Sequence, residues 1–171
     1  MPVIVAVTAA PTLTAGLGWG ALAALFSAVI PFGAILVGVR RGKLTDHHVG
    51  RREQRRTPML IGLASVLASL ILFAVTGAPR QLTAMVSVML AVLLMITMVN
   101  LRWKLSAHAA VSAGSATVLT IIFGWVLAPA WLAVAAVSWS RVHLHDHTIA
   151  QVIAGAAIGT TTAAAVFLAL T

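Results

Sequence analysis

The chain has 171 residues, of which 61% are hydrophobic and only 14 are charged, eleven Lys or Arg against three Asp or Glu. A soluble domain carries about 25% charged residues, and the 8% found here is too little to cover the surface of a water-soluble globule. There is no cysteine, which excludes disulfides and Cys-ligated metals.

Five stretches, 1–39, 57–79, 81–101, 105–140 and 148–171, contain no Asp, Glu, Lys or Arg. Each is long enough to cross a hydrocarbon core of about 30 Å, which takes roughly 20 helical residues. Backbone polar groups inside a bilayer must be bonded within their own segment, so these runs are read as helices. The expected fold is all-α: a polytopic transmembrane helix bundle of about six helices, in a single integral membrane domain over 1–171.

In chain order, Pro11 separates a short segment around 2–14 from a first clear crossing at about 17–39. The earlier segment is either a short helix or re-entrant, and with no Lys or Arg ahead of it, it is not expected to be a cleaved signal peptide. Residues 40–56, RRGKLTDHHVGRREQRR, are the one extended polar stretch. A crossing follows at about 58–77, then the turn Gly77-Ala78-Pro79-Arg80, then a return at about 82–100. The uncharged run 105–140 accommodates helices of about 19 and 14 residues around a turn near Gly124 to Pro129, the second short for a bilayer. The polar cluster 141–147 precedes a last crossing at about 149–169.

Pairs of crossings separate the stretches 40–56, 101–104 and 141–147, so all three are expected on one membrane face. That face would carry ten of the eleven Lys and Arg, all three acids and all six histidines, with Arg80 alone opposite. Cytoplasmic loops are enriched in Lys and Arg, so the polar face is expected in the cytoplasm. The same rule accounts for the net charge of +8 without a nucleic-acid partner. Nine Arg to two Lys and abundant Ala hint at a GC-rich bacterial gene, hence a bacterial inner membrane. The five Trp fall mostly near expected helix ends, as interfacial anchors do.

Three constellations on the polar face carry chemistry. The strongest is Ser140-Arg141, five residues, His147, three residues, Gln151. Arg offers a planar fork to two phosphate oxygens, imidazole can act as a nucleophile, and a helix N-terminus adds N–H donors and positive dipole. The second is Leu105-Ser106-Ala107-His108, with Ser106 an expected N-cap and His108 placed to protonate a leaving oxygen. In the third, His48 precedes Arg55 by seven positions, with Arg56 next; it would add positive charge against a phosphate.

In order and spacing these elements resemble the type-2 phosphatidic acid phosphatase superfamily, whose signature reads Lys-x6-Arg-Pro, Pro-Ser-Gly-His, then Ser-Arg-x5-His-x3-Asp. The third element matches at Ser140, Arg141 and His147, the second at Ser106 and His108, the first at Arg55 and in its spacing. The resemblance covers roughly residues 17–170. It implies a metal-independent phosphohydrolase, with no cofactor, that removes phosphate or diphosphate from a lipid or prenyl phosphate through a phosphohistidine. His147 would be the nucleophile and His108 the general acid, while Arg55, Arg141 and Ser106 would hold phosphate oxygens, joined by Ser140 and His48.

The departures are specific. His48 stands for Lys, Arg56 for Pro, Leu105 and Ala107 for Pro and Gly. Gln151 replaces the Asp that orients the nucleophilic imidazole: an amide can accept from the ring but lends no negative charge. Asp146 or Asp46 could substitute for that acid. Two other readings follow. A member weakened by the loss would be a lipid- or partner-binding membrane protein. Alternatively, His143, His145, Asp146 and His147 are metal-ligand types, though they share a side only in an extended segment, and no metal is expected there. The sequence leaves the lipid and the oligomeric state open.

Overall fold

The computed structural model describes residues 1–45, 54 and 56–171, and every described regular element is helical. Two compact units form, Met1–Val86 and Ser87–Thr171.

In the first unit, α1 (Pro2–Ala9) is a helix of 8 residues, about 12 Å long and far too short to span a bilayer. It doubles back on α2 (Leu13–Ala24), whose start is capped by the Thr12 hydroxyl accepting from Ala15 N–H. Contact is backbone-close: a Cβ at Gly16 would lie 2.7 Å from Val7 Cα, and one at Gly20 would lie 3.1 Å from Val3 Cα. The residues around 2–14 therefore make a short helix and a turn, and the following crossing starts at Leu13.

A π-helical turn, Leu25–Val29, joins α2 to α3 (Ile30–Arg40), giving one continuous helical segment of 28 residues. Pro31 explains the turn: its ring clashes with the carbonyl four residues back and it has no N–H to donate. The widened turn is held by side chains, as transmembrane helices permit. Ser65 of α4 (Arg56–Thr76) donates to Phe26 O, and Ser27 donates to Ala23 O. Trp19 meets Phe73 edge-on at 5.5 Å, so this Trp packs against α4 rather than serving as an anchor at a helix end.

Gly77 stops α4 in a left-handed conformation (φ 72°), where glycine has no Cβ penalty. Helix α5 (Arg80–Asn100) follows.

In the second unit, α6 (Ala107–Phe123) ends at Gly124, φ 67°. A 3-10 turn at Gly124–Leu127 leads into α7 (Ala130–His143), and α8 (Ile149–Leu170) closes the described chain. At 14 residues, α7 spans about 21 Å, short of a hydrocarbon core as expected.

Helices α6 and α8 run parallel at very close range. A Cβ at Gly159 would lie 2.0 Å from Ala110 O, one at Gly155 would lie 2.6 Å from Ser106 O, and one at Gly114 would lie 3.2 Å from Gly159 O. Small residues at four-residue spacing let helix backbones meet where lipid supplies no hydrophobic drive. The partners on α6, Ala109, Ala110 and Ala113, are fully buried, and Val134 of α7 packs on Ala113 and Ala116.

Among the described residues, five helical segments are long and apolar enough to cross a membrane: Leu13–Arg40, Arg56–Thr76, Arg80–Asn100, Ala107–Leu127 and Ile149–Leu170. Large apolar side chains such as Leu60, Ile71, Val75, Ile153 and Leu168 are exposed along them. Such surfaces are a liability in water and a match for lipid.

Candidate active site

Five of the eight residues singled out from the sequence, Ser106, Ser140, Arg141, His147 and Gln151, lie in one bonded network of the second unit. His48 and Arg55 fall outside the described residues, as does Asp46. His108 sits in the first turn of α6, exposed.

The turn between α7 and α8 explains the spacing from Arg141 to His147. Helix α7 runs through Arg141 to His143, so Ser140 and Arg141 belong to its last turn rather than to a loop. Beyond the cap residue Leu144, His145 adopts φ 57°. Its N–H donates to Val142 O at 3.0 Å, and the Asp146 N–H donates to Arg141 O at 3.1 Å. This is a Schellman ending with histidine where glycine is usual, a conformation costing an L-residue roughly 1–2 kcal/mol. The Arg141 carbonyl also accepts from His147 N–H at 3.2 Å. Arg141 and His147 are thereby fixed to one another by backbone, whatever their side chains do.

His147 lies one residue ahead of the α8 cap. Thr148 and Gln151 form a capping box: Gln151 N–H donates to the Thr148 hydroxyl at 3.3 Å, and Thr148 N–H donates to Gln151 Oε1 at 3.1 Å. That second bond identifies the amide oxygen, because only an acceptor can face a backbone N–H. The same Oε1 lies 3.2 Å from His147 Nδ1. An amide oxygen cannot donate, so Nδ1 carries the proton in this bond and the lone pair of the neutral ring sits on Nε2. Gln151 thus meets the imidazole from one turn along the helix.

Ser106 caps α6 through its hydroxyl, which accepts from Ala109 N–H at 3.4 Å. It is fully buried. Its own N–H is not left for an anion: it donates to Gln151 O at 3.3 Å. As placed, Ser106 ties the start of α6 to the residue that orients His147. Leu105 N–H is taken by Asn100 Oδ1 at 3.2 Å, so the junction from α5 to α6 is also pinned.

Arg141 donates from Nε to Ser140 Oγ (3.2 Å) and from one terminal nitrogen to Asp146 Oδ2 (3.2 Å). The Asp146 carboxylate is thus bonded to Arg141, while the described bond of His147 Nδ1 runs to Gln151. Across the turn, Lys104 Nζ donates to Asp146 O, which brings the polar stretches 101–104 and 141–147 together. Sequence reasoning missed three contributors here. Thr148 was legible, since Thr-x-x-Gln before an apolar run is a capping-box signature. Asn100 and Lys104 carry no local signal. His143 stacks on the Trp139 ring at 4.8 Å, and among the described residues no three His, Asp or Glu come together in a way that could hold a metal ion.

Residues 100–171 match the family model of the PAP2 superfamily. The match covers less than half of the chain and marks a similarity of this segment to that superfamily. It begins at Asn100 and takes in all of the network just described. The apolar helices agree with a membrane protein. No curated protein and no solved structure matches the chain.

Proposed function

We propose that the protein is a membrane phosphatase that cleaves a phosphate monoester or diphosphate from a lipid or prenyl chain, without a metal, through a phosphohistidine at His147. The observation that carries this reading is the bond from His147 Nδ1 to Gln151 Oε1, which leaves Nε2 with a lone pair, ahead of a helix N-terminus that favours anions.

In the proposed reaction, Nε2 attacks phosphorus, the bond from phosphorus to the ester oxygen breaks, and His108 gives its proton to the leaving alcohol. The imidazolium charge formed on His147 is met by the amide dipole of Gln151. Water then attacks the phosphohistidine, His108 takes the proton, and inorganic phosphate leaves. Arg141 holds phosphate oxygens once it exchanges the Asp146 carboxylate for substrate; Ser140 orients its guanidinium through Nε. Ser106 contributes by fixing α6 to α8, and His48 and Arg55 would add charge from the 40–56 stretch. Positive-inside counting puts the site on the cytoplasmic side.

The test is phosphate release by purified protein from phosphatidic acid, phosphatidylglycerol phosphate and prenyl phosphates, with and without chelator. Activity should persist with chelator and vanish in His147→Ala, and a rapid quench should trap phosphate on His147. Activity surviving His147→Ala would sink the mechanism, and loss on chelation would favour a metal enzyme. Binding of these lipids with no release would favour the lipid-binding reading that the neutral Gln151 motivates.

A further inference from the structure

Arg141 is the one cation of the phosphate site that the described residues place beside His147 among those expected from the sequence, and it is already paired with Asp146. The pair leaves no net positive charge for a terminal phosphate, which carries nearly two negative charges above its second pKa of about 6. Among the described residues a further cation is present beside this pair. The Lys104 ammonium donates to the carbonyl oxygen of Asp146, which belongs to the peptide unit leading into His147. The N–H of that same peptide donates to Arg141 O. Lys104 through its ammonium and Arg141 through its backbone carbonyl therefore bond opposite sides of the peptide that leads into His147.

We infer that Lys104 is a phosphate-binding residue of this site and gives it a preference for dianionic terminal phosphates; the inference rests on the phosphatase reading above. An ammonium has three N–H donors, and among the described residues one is used, on Asp146 O. The side chain is exposed and a flexible compact cation, so the other two donors can turn to a phosphate oxygen without breaking the first bond. Fully buried Leu105 and Ser106, which follow it, fix its Cα against the start of α8 through the Ser106 N–H bond to Gln151 O. Its neighbour Arg102 makes no described contact with the 141–147 turn, so the assignment is to Lys104 and not to basic charge in general.

The test measures binding of methyl phosphate, a dianion, and dimethyl phosphate, a monoanion, to the full-length protein in a detergent without phosphate, at about pH 8. Lys104→Gln keeps a donor for Asp146 O and removes the charge; Lys104→Arg keeps both. We expect Lys104→Gln to weaken methyl phosphate about fivefold to tenfold, to weaken dimethyl phosphate less, and to leave the unfolding temperature unchanged. Lys104→Arg should restore affinity, and Arg102→Gln should have no such effect. In hydrolysis the loss should appear in KM more than in kcat. Equal affinity of wild type and Lys104→Gln for methyl phosphate would overturn the inference, as would an equal loss in Arg102→Gln. Binding needs no turnover: a protein that discriminates through Lys104 yet releases no phosphate refutes the hydrolase reading alone, and an active enzyme indifferent to Lys104→Gln refutes this inference alone.

Discussion

The Gln151 side chain serves two helical ends of the chemistry with one oxygen atom. It closes the α8 capping box through Thr148 N–H and holds the His147 ring through Nδ1. The two duties make separable predictions. Gln151→Leu loses both, and should cost about 1 kcal/mol of stability from the cap and roughly tenfold in rate from the disoriented ring. Gln151→Glu keeps the box, since Glu is its other usual N3 residue, and adds a negative charge opposite the imidazolium. In a serine-protease triad the reverse change, acid to amide, costs about 10⁴ in rate, so Gln151→Glu should raise phosphate release by about tenfold or more. A rate at or below wild type would show that the site is built around a neutral partner. Thermal unfolding in detergent and initial rates on one lipid phosphate check all of this.

For the helical elements, the decisive fact is how near α6 and α8 come. The bond from Ser106 N–H to Gln151 O exists because Gly155 and Gly159 leave room for Ser106 and Ala110 to touch the α8 backbone. Adding one methyl at Gly159 would put carbon 2.0 Å from Ala110 O, which only separation of the helices can relieve. Gly159→Ala should therefore lower stability by about 1–3 kcal/mol and reduce activity as well, because the two halves of the site move apart. Gly18→Ala is the control: nothing lies within 4 Å of the place its methyl would take, so neither stability nor rate should fall. Melting temperatures and activities of the two variants, measured side by side, decide it. The Schellman ending of α7 is the other element-scale device. Through it the Arg141 carbonyl is bonded to both Asp146 and His147 N–H groups, so the five-residue interval in the motif is the length of chain this turn needs.

At the scale of the whole molecule, membrane sidedness is the open physical quantity, and the absence of cysteine makes it cleanly measurable. The ends of α5 separate Arg80 from the 101–104 stretch by one crossing. Single-cysteine variants Arg80→Cys and Arg102→Cys should react with an impermeant thiol reagent from opposite sides, Arg80→Cys from outside the cell and Arg102→Cys from the cytosol. Labelling of Arg80→Cys only from the cytosol would reverse the orientation and, with it, the compartment in which phosphate is released.

The sequence by itself determined the helical character, the membrane setting and the location of the turns. Those follow from local quantities: runs without charge, a proline at 11, glycines at 77 and 124 where φ is positive. It also marked Ser106, His108, Ser140, Arg141, His147 and Gln151, because motif spacing is written along the chain. Tertiary structure alone decided what those residues touch. Ser106 is buried and spends its N–H on Gln151 O, Asp146 pairs with Arg141, and Lys104 reaches across to the turn before His147. The Ser106 and Lys104 contacts depend on α6 and α8 meeting at backbone distance and on residues some forty positions apart becoming neighbours, whereas the Arg141–Asp146 pair closes within the turn between α7 and α8. The fourteen charges, read along the chain, point to a membrane protein; that Lys104 meets the turn carrying Arg141 and Asp146 follows only from helix packing.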